Sequence, residues 1–138
     1  MRKVLAALTV MLIWVPVAAA NPQKDAVVKF YALRAKTLDQ RGTTEDVDKL
    51  LALLTDEGKY EHPVAGIVMT KDEARSGMLA HLKEGQDASY RFRHARFGRD
   101  FAIVELTLEY TVEGKKVRRT GVSVFEFSGG KISRVAEY

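Results

Sequence analysis

No cysteine occurs anywhere in the 138 residues. The chain therefore has no disulfide, no thiol nucleophile and no thiolate metal ligand. Proline and histidine are each present only three times. His62, His81 and His94 lack the HxH or HExxH spacing of a metal site, so no metal is expected, and no motif calls for another cofactor. There is no Gly-x-Ser-x-Gly and no glycine-rich phosphate loop, which removes support for serine hydrolysis and nucleotide binding. A large charge excess is missing too. Lys and Arg number 22 against 18 Asp and Glu, a formal net +4. That balance gives no strong reason to expect nucleic acid or an anionic membrane as partner.

Long apolar runs are absent except at the start. Arg2 and Lys3 precede an uncharged stretch from Val4 to Val17, and Ala18-Ala19-Ala20 meets the small-x-small cleavage rule. This is the pattern of a secretory signal peptide over residues 1–20. The run is short for a spanning helix, which needs roughly 20 residues. No Cys follows to accept a lipid, so the mature domain, Asn21 to Tyr138, is expected to be periplasmic or secreted and free of the membrane. Both charges of the leader are positive, so the mature domain lies closer to neutrality than the whole sequence.

What is present reads as one domain without repeats or linkers. Lys24 to Gln40 carries Val27, Phe30, Tyr31, Arg34 and Leu38 along one side at helical spacing, and Gly42 suits a stop. Thr43-Thr44 ahead of Glu45, Asp46 and Asp48 caps a second helix. Val47, Leu50, Leu51 and Leu54 mark its buried face, predicting a helix over about Glu45 to Leu54. Thr70-x-x-Glu73 is a capping box opening a third helix, with Ala74, Met78, His81 and Leu82 on one face and Lys83 and Gly85 at its close. The period then changes. Ala88 to Phe97, Phe101 to Val112, Lys116 to Phe127 and Lys131 to Tyr138 are rich in strand formers. Short Gly-containing turns join them, as expected of antiparallel neighbours. The layout is α+β: three N-terminal helices packed on a curved antiparallel sheet, with a second sheet face apolar enough to predict a homodimer through the sheet.

The segment Lys59-Tyr60-Glu61-His62-Pro63-Val64-Ala65-Gly66 holds the sharpest chemical feature. An imidazole can take or give a proton near neutrality, and Pro63 restrains the backbone that aims His62. The bland alternative is a neutral histidine in a polar wall. Tyr60 is expected on the same side as His62 by strand alternation, either lining a pocket or packing. Arg91 and Arg93 share one strand face, and Arg119 follows on the neighbouring meander. Facing inward, these arginines would bind a carboxylate or sulfate-like group, with Glu109 beside them. Facing outward, they would be solvated or paired with Glu105 and Glu109. Arg interleaved with Tyr90, Phe92 and His94 is also a single-stranded nucleic-acid pattern, but the leader and the modest charge argue against it.

The order of elements, with Ala26-Val27-Val28-Lys29-Phe30-Tyr31 and Glu61-His62-Pro63-Val64-Ala65-Gly66, resembles the nuclear transport factor 2-like superfamily, the SnoaL-like or ketosteroid isomerase-like cone fold. The ending Phe127-Ser128-Gly129-Gly130-Lys131-Ile132 resembles its last hairpin. The resemblance implies a cone-shaped α+β barrel. It puts Tyr31 where the isomerases carry an oxyanion-binding tyrosine and His62 where they carry an aspartate base. It puts Ser123 near their second oxyanion donor, a protonated aspartate, and no carboxylate lies from Val117 to Phe125. The expectation is thus an exported domain holding a small, largely apolar organic ligand. The alternatives are a cofactor-free isomerase or hydrolase in which His62 is the base and Tyr31 stabilises the oxyanion, and a protein-interaction module with a vestigial cavity.

Overall fold

A computed structural model describes residues 20–138. The expected leader therefore lies outside the described residues, Ala20 excepted.

Helix α1 runs Pro22–Leu38. Asn21 caps it by accepting from the Lys24 backbone N–H at 3.0 Å, with Pro22 set where a missing N–H costs nothing. Helix α2, Thr44–Leu51, and helix α3, Lys71–Ala80, each open with a reciprocal capping box, Thr43 with Asp46 and Thr70 with Glu73. Helix α2 ends three residues before the predicted Leu54, because Leu54 already opens strand β1, Leu54–His62. The apolar spacing runs across the junction since Leu54 fills the same core as Leu50 and Leu51. Just beyond, the pairing register shifts between Leu54 and Lys59, and Gly58 passes so close over Leu54 that a Cβ would meet its side chain at 2.9 Å.

A single helical turn, Pro63–Ala65, links β1 to the short β2, Ile67–Met69. Strands β3 (Gln86–Phe97), β4 (Phe101–Val112), β5 (Lys115–Ser128) and β6 (Lys131–Glu137) form the expected meander. Glu113-Gly114 and Gly129-Gly130 turn it with both central residues at positive φ, the conformation that matches strand twist in two-residue hairpins. The sheet is curved and open, in the order β2-β1-β6-β5-β4-β3. It corrects the all-antiparallel expectation at one place: β1 runs parallel to β6. The chain reaches that pairing by a long crossover through α3 and three strands, which no local turn signal records.

The three helices cover one face. Val27, Phe30 and Tyr31 of α1 meet Tyr60, Val104 and Phe125 of the sheet, and Phe30 packs edge-on to Phe125 with centroids 5.3 Å apart. At Arg93–His94 a bulge opposite Glu105 reverses strand parity. Tyr90 and Phe92 pair with the inward Leu108 and Leu106, but His94 pairs with Glu105 on the outer face, against the shared face expected of Tyr90, Phe92 and His94. The outer face is crossed by Arg134, which donates to Glu61 at 2.6 Å and Glu126 at 2.9 Å. Phe101, Ile103 and Val122 remain exposed there.

Candidate functional site

The concave side of the sheet and the helices enclose a cavity of about 580 Å³. Its wall is apolar, made by Leu38 of α1 and by Leu106, Leu108, Tyr110 and Val112 of β4. Those β4 positions alternate in sequence, as one strand face must. One end of its lining is polar, with Arg34, His62, Ser123 and Glu137. Arg119, exposed on β5, stands at the mouth with Glu84.

Arg34 is the principal cation of this end. Its Nε donates to the Tyr60 hydroxyl at 3.2 Å and its Nη1 to Thr37 Oγ1 at 3.0 Å. Thr37 is held in turn by the Arg34 carbonyl at 2.8 Å. A guanidinium carries five N–H donors, so three are left without an acceptor among the described residues. Burial opposes the Arg34 charge. The neighbouring Tyr60 and Tyr90 oxygens and the Glu137 carboxylate outweigh it, and the net direction is upward. The guanidinium is therefore charged wherever the protein is folded.

Glu137 ends β6, and its carboxylate reaches the same space. His62 Nδ1 lies 3.9 Å from Glu137 Oε2, too long for a direct hydrogen bond and short enough for a bridging water. The His62 ring sits edge-on to Tyr60 with centroids 5.4 Å apart. Tyr60 and His62 thus share the inner face, as alternation requires. Tyr60 is itself buried and meets the cavity through Arg34 and a second, smaller pocket.

Tyr31 is placed differently from a free donor. It is 2% exposed, packed among Phe30, Tyr90, Phe92 and Phe125. Its hydroxyl donates to Ser123 Oγ at 2.5 Å. Burial first, then the Glu137 carboxylate, push its phenol well above the usual tyrosine range, so it stays protonated and a donor. The two oxyanion-donor positions that the isomerase resemblance singled out are therefore adjacent, but they bond to each other, and Ser123 is the one that lines the cavity.

The other expected contacts divide by sheet face. Arg119 faces the cavity. Arg91, Arg93 and Glu109 lie on the outer face and are not brought to it. Arg93 pairs with Glu105 at 3.0 Å and Glu109 with Arg118 at 3.4 Å, the outward alternative. His81 is not a core histidine: it caps α3, is exposed, and approaches Glu84 at 2.9 Å. The sequence reading missed Arg34 and Glu137 as site residues. A signal for Arg34 was present, since a charge sat in the apolar stripe of α1. Glu137 gave none, because a terminal Glu on a strand is ordinarily solvated.

A helix-covered, open α+β cone with a polar inner end defines a class of cavity folds. The chain belongs to the SnoaL-like domain family, whose model matches residues 27–135. Among solved structures it is similar to a LEH-like epoxide hydrolase of M. tuberculosis, with 18% identity over 85% of this chain and 81% of that one, TM-score 0.68. It is similar to a protein of ketosteroid isomerase-like fold from Catenulispora acidiphila in complex with trimethylamine, with 17% identity over 83% and 84%, TM-score 0.66. It is also similar to TerC, co-crystallised with polyporic acid, with 18% identity over 86% and 91%, TM-score 0.67. No curated protein matches it in sequence. At these identities the likeness establishes the fold.

Proposed function

We propose that this domain binds a small, largely apolar organic molecule in the cone, gripping an acceptor oxygen of the ligand with Arg34. One observation carries the reading. A half-buried guanidinium is fixed by Tyr60 and Thr37, keeps three N–H groups without an acceptor among the described residues, and lines an apolar-walled cavity. Similar folds that are epoxide hydrolases or hold organic ligands support a cavity in use. The outer apolar residues Phe101, Ile103 and Val122 support a homodimer through the sheet. The leader-like first twenty residues support export.

A second reading is favoured by the 3.9 Å approach of Glu137 to His62. There the domain is a cofactor-free enzyme. His62 removes a proton from a carbon acid or a water, Glu137 stabilises the imidazolium that forms, and Arg34 with the Ser123 hydroxyl meets the developing oxyanion. Tyr31 contributes through Ser123, polarising that hydroxyl.

Thermal unfolding with a panel of aryl ketones, phenols and hydrophobic carboxylates tests the first reading. A compound at a hundred times its dissociation constant stabilises by about 2.7 kcal/mol, which is roughly 10 °C for a domain of this size. The shift is expected in wild type and in His62→Ala, and is expected to vanish in Arg34→Met. A hit that survives Arg34→Met sinks the proposed grip. With a hit in hand, proton exchange at the ligand that stops in His62→Ala supports the enzyme reading, and exchange unchanged in that variant removes it.

A further inference from the structure

Helix α3 carries a glycine at position 77, in its interior. Glycine there costs stability relative to alanine because it loses more backbone freedom on folding. A packing reason would be a close neighbour, and there is none: a Cβ built on Gly77 meets no atom within 4 Å. Gly77 has no positive φ either. The space it leaves belongs to a second pocket of about 230 Å³, between α3 and the β1–β2 hairpin. Ala74, Gly77 and Met78 line it from α3, at the spacing of one helix face, and Ile67 and Met69 from the hairpin. An apolar cavity of about 150 Å³ is already enough for benzene.

This pocket and the large cavity share three residues, Arg34, His62 and His81. Arg34 and His62 therefore border both apolar lobes, whereas Ser123, Arg119 and Glu137 border the large one alone.

Deepening the reading above, on which this rests, we infer that the ligand carries its acceptor oxygen in its middle, flanked by an apolar group on each side, and that Gly77 reserves the space for the smaller arm. The chemical class is a ketone, or an alcohol or epoxide of the same shape. A terminal acid such as a fatty acid or benzoate would leave one lobe empty while its head met Arg34.

The test compares two ketones, phenylacetone with one aryl arm and 1,3-diphenylacetone with two, by calorimetric titration of wild type, Gly77→Leu and Gly77→Ala. A single methylene in an apolar pocket is worth roughly tenfold or more, so the two-armed ketone is expected to bind wild type at least about tenfold tighter. In Gly77→Leu, whose side chain fills the smaller lobe, that ratio is expected to fall to near one. In Gly77→Ala, which adds one methyl, most of the ratio is expected to remain. Leucine and alanine both favour a helix over glycine, and retained cooperative unfolding checks that the variants fold. A ratio that persists in Gly77→Leu, or a wild type that binds both ketones equally, overturns the inference and leaves the Arg34 reading standing. Binding of neither ketone to wild type, with a carboxylate bound instead, overturns it too. Binding of no compound of any class removes the Arg34 reading itself.

Discussion

The Tyr31–Ser123 hydrogen bond offers a test in which two removals of the same contact give unequal results. The hydroxyl of Tyr31 is sealed under α1, and its only protein partner among the described residues is Ser123 Oγ at 2.5 Å. Ser123 is also buried, 3% exposed, but it borders the cavity, where a water can meet its hydroxyl. In Ser123→Ala a buried phenol proton loses its acceptor. An unsatisfied buried polar group costs about 1–3 kcal/mol. At about 4 °C per kcal/mol for a domain of this size, the midpoint is expected to fall by roughly 4–12 °C. In Tyr31→Phe the ring stays and only a cavity-lining serine, itself buried, loses a partner, so the loss is expected to be about 0–1 kcal/mol, within roughly 4 °C. The double variant removes donor and acceptor together and is expected to match Tyr31→Phe, not the sum. Thermal or urea unfolding of the four proteins gives the complete cycle. Equal single losses, or an additive double, would refute the claim that the phenol is sealed and the serine can turn to the cavity. The cycle also bears on chemistry. If Tyr31 acts through Ser123, then Ser123→Ala and Tyr31→Phe weaken binding of an oxygen ligand together, despite their unequal effects on stability.

Two further outcomes are expected. Arg134 lies between Glu61 and Glu126 on the outer face, and its hydrogen bond is the main cause that holds the Glu61 carboxyl below its ordinary value of 4.5. A depressed carboxyl contributes stability above its unfolded pKa and loses it as pH falls through the folded one. Arg134→Ala is therefore expected to cost about 1 kcal/mol at neutral pH, with the difference from wild type shrinking on acidification below about pH 4.5; a difference that grows in acid would contradict the pairing. Ile103→Glu, a charge placed on the outer apolar surface, is expected to convert a wild-type dimer to monomer in sedimentation equilibrium, and a wild type already monomeric at high concentration would remove the sheet-face dimer.

Much of the fold was legible because its signals are local. The capping box at Thr70 and the hydroxyl cap at Thr43 formed on the residues that announce them, and Gly-containing turns fell at Glu113-Gly114 and Gly129-Gly130 as expected. The first strand was harder. Leu54-Thr55-Asp56-Glu57-Gly58 shows no alternation because the chain bulges there, and Leu54 continues the helical spacing of α2 by packing into a shared core. The parallel β1–β6 pair was illegible for a different reason: it depends on where the whole meander returns. At the site, His62 and Tyr60 were readable from two-residue alternation, and Arg119 from strand parity counted along β5. Arg91, Arg93 and Glu109 needed the same parity count on strands whose two faces both carry charge, and it places them outside. Arg34 and Glu137 come from opposite ends of the domain, so only the closed fold brings their charges together.

The position of β6 bears on how the molecule can be made. Without it the sheet is two separate pieces, β2-β1 and β5-β4-β3, each with a raw edge facing the other. Residues 131–137 are the stitch between them, and a ribosome delivers them after the five strands they join. Before that moment the two edges are open to misjoining with other chains, and the carboxylate of Glu137 does not yet exist. A product ended before β6 would thus have two raw edges and an incomplete cavity wall at once. The seam of the sheet and the Glu137 carboxylate of the cavity arrive together, on β6.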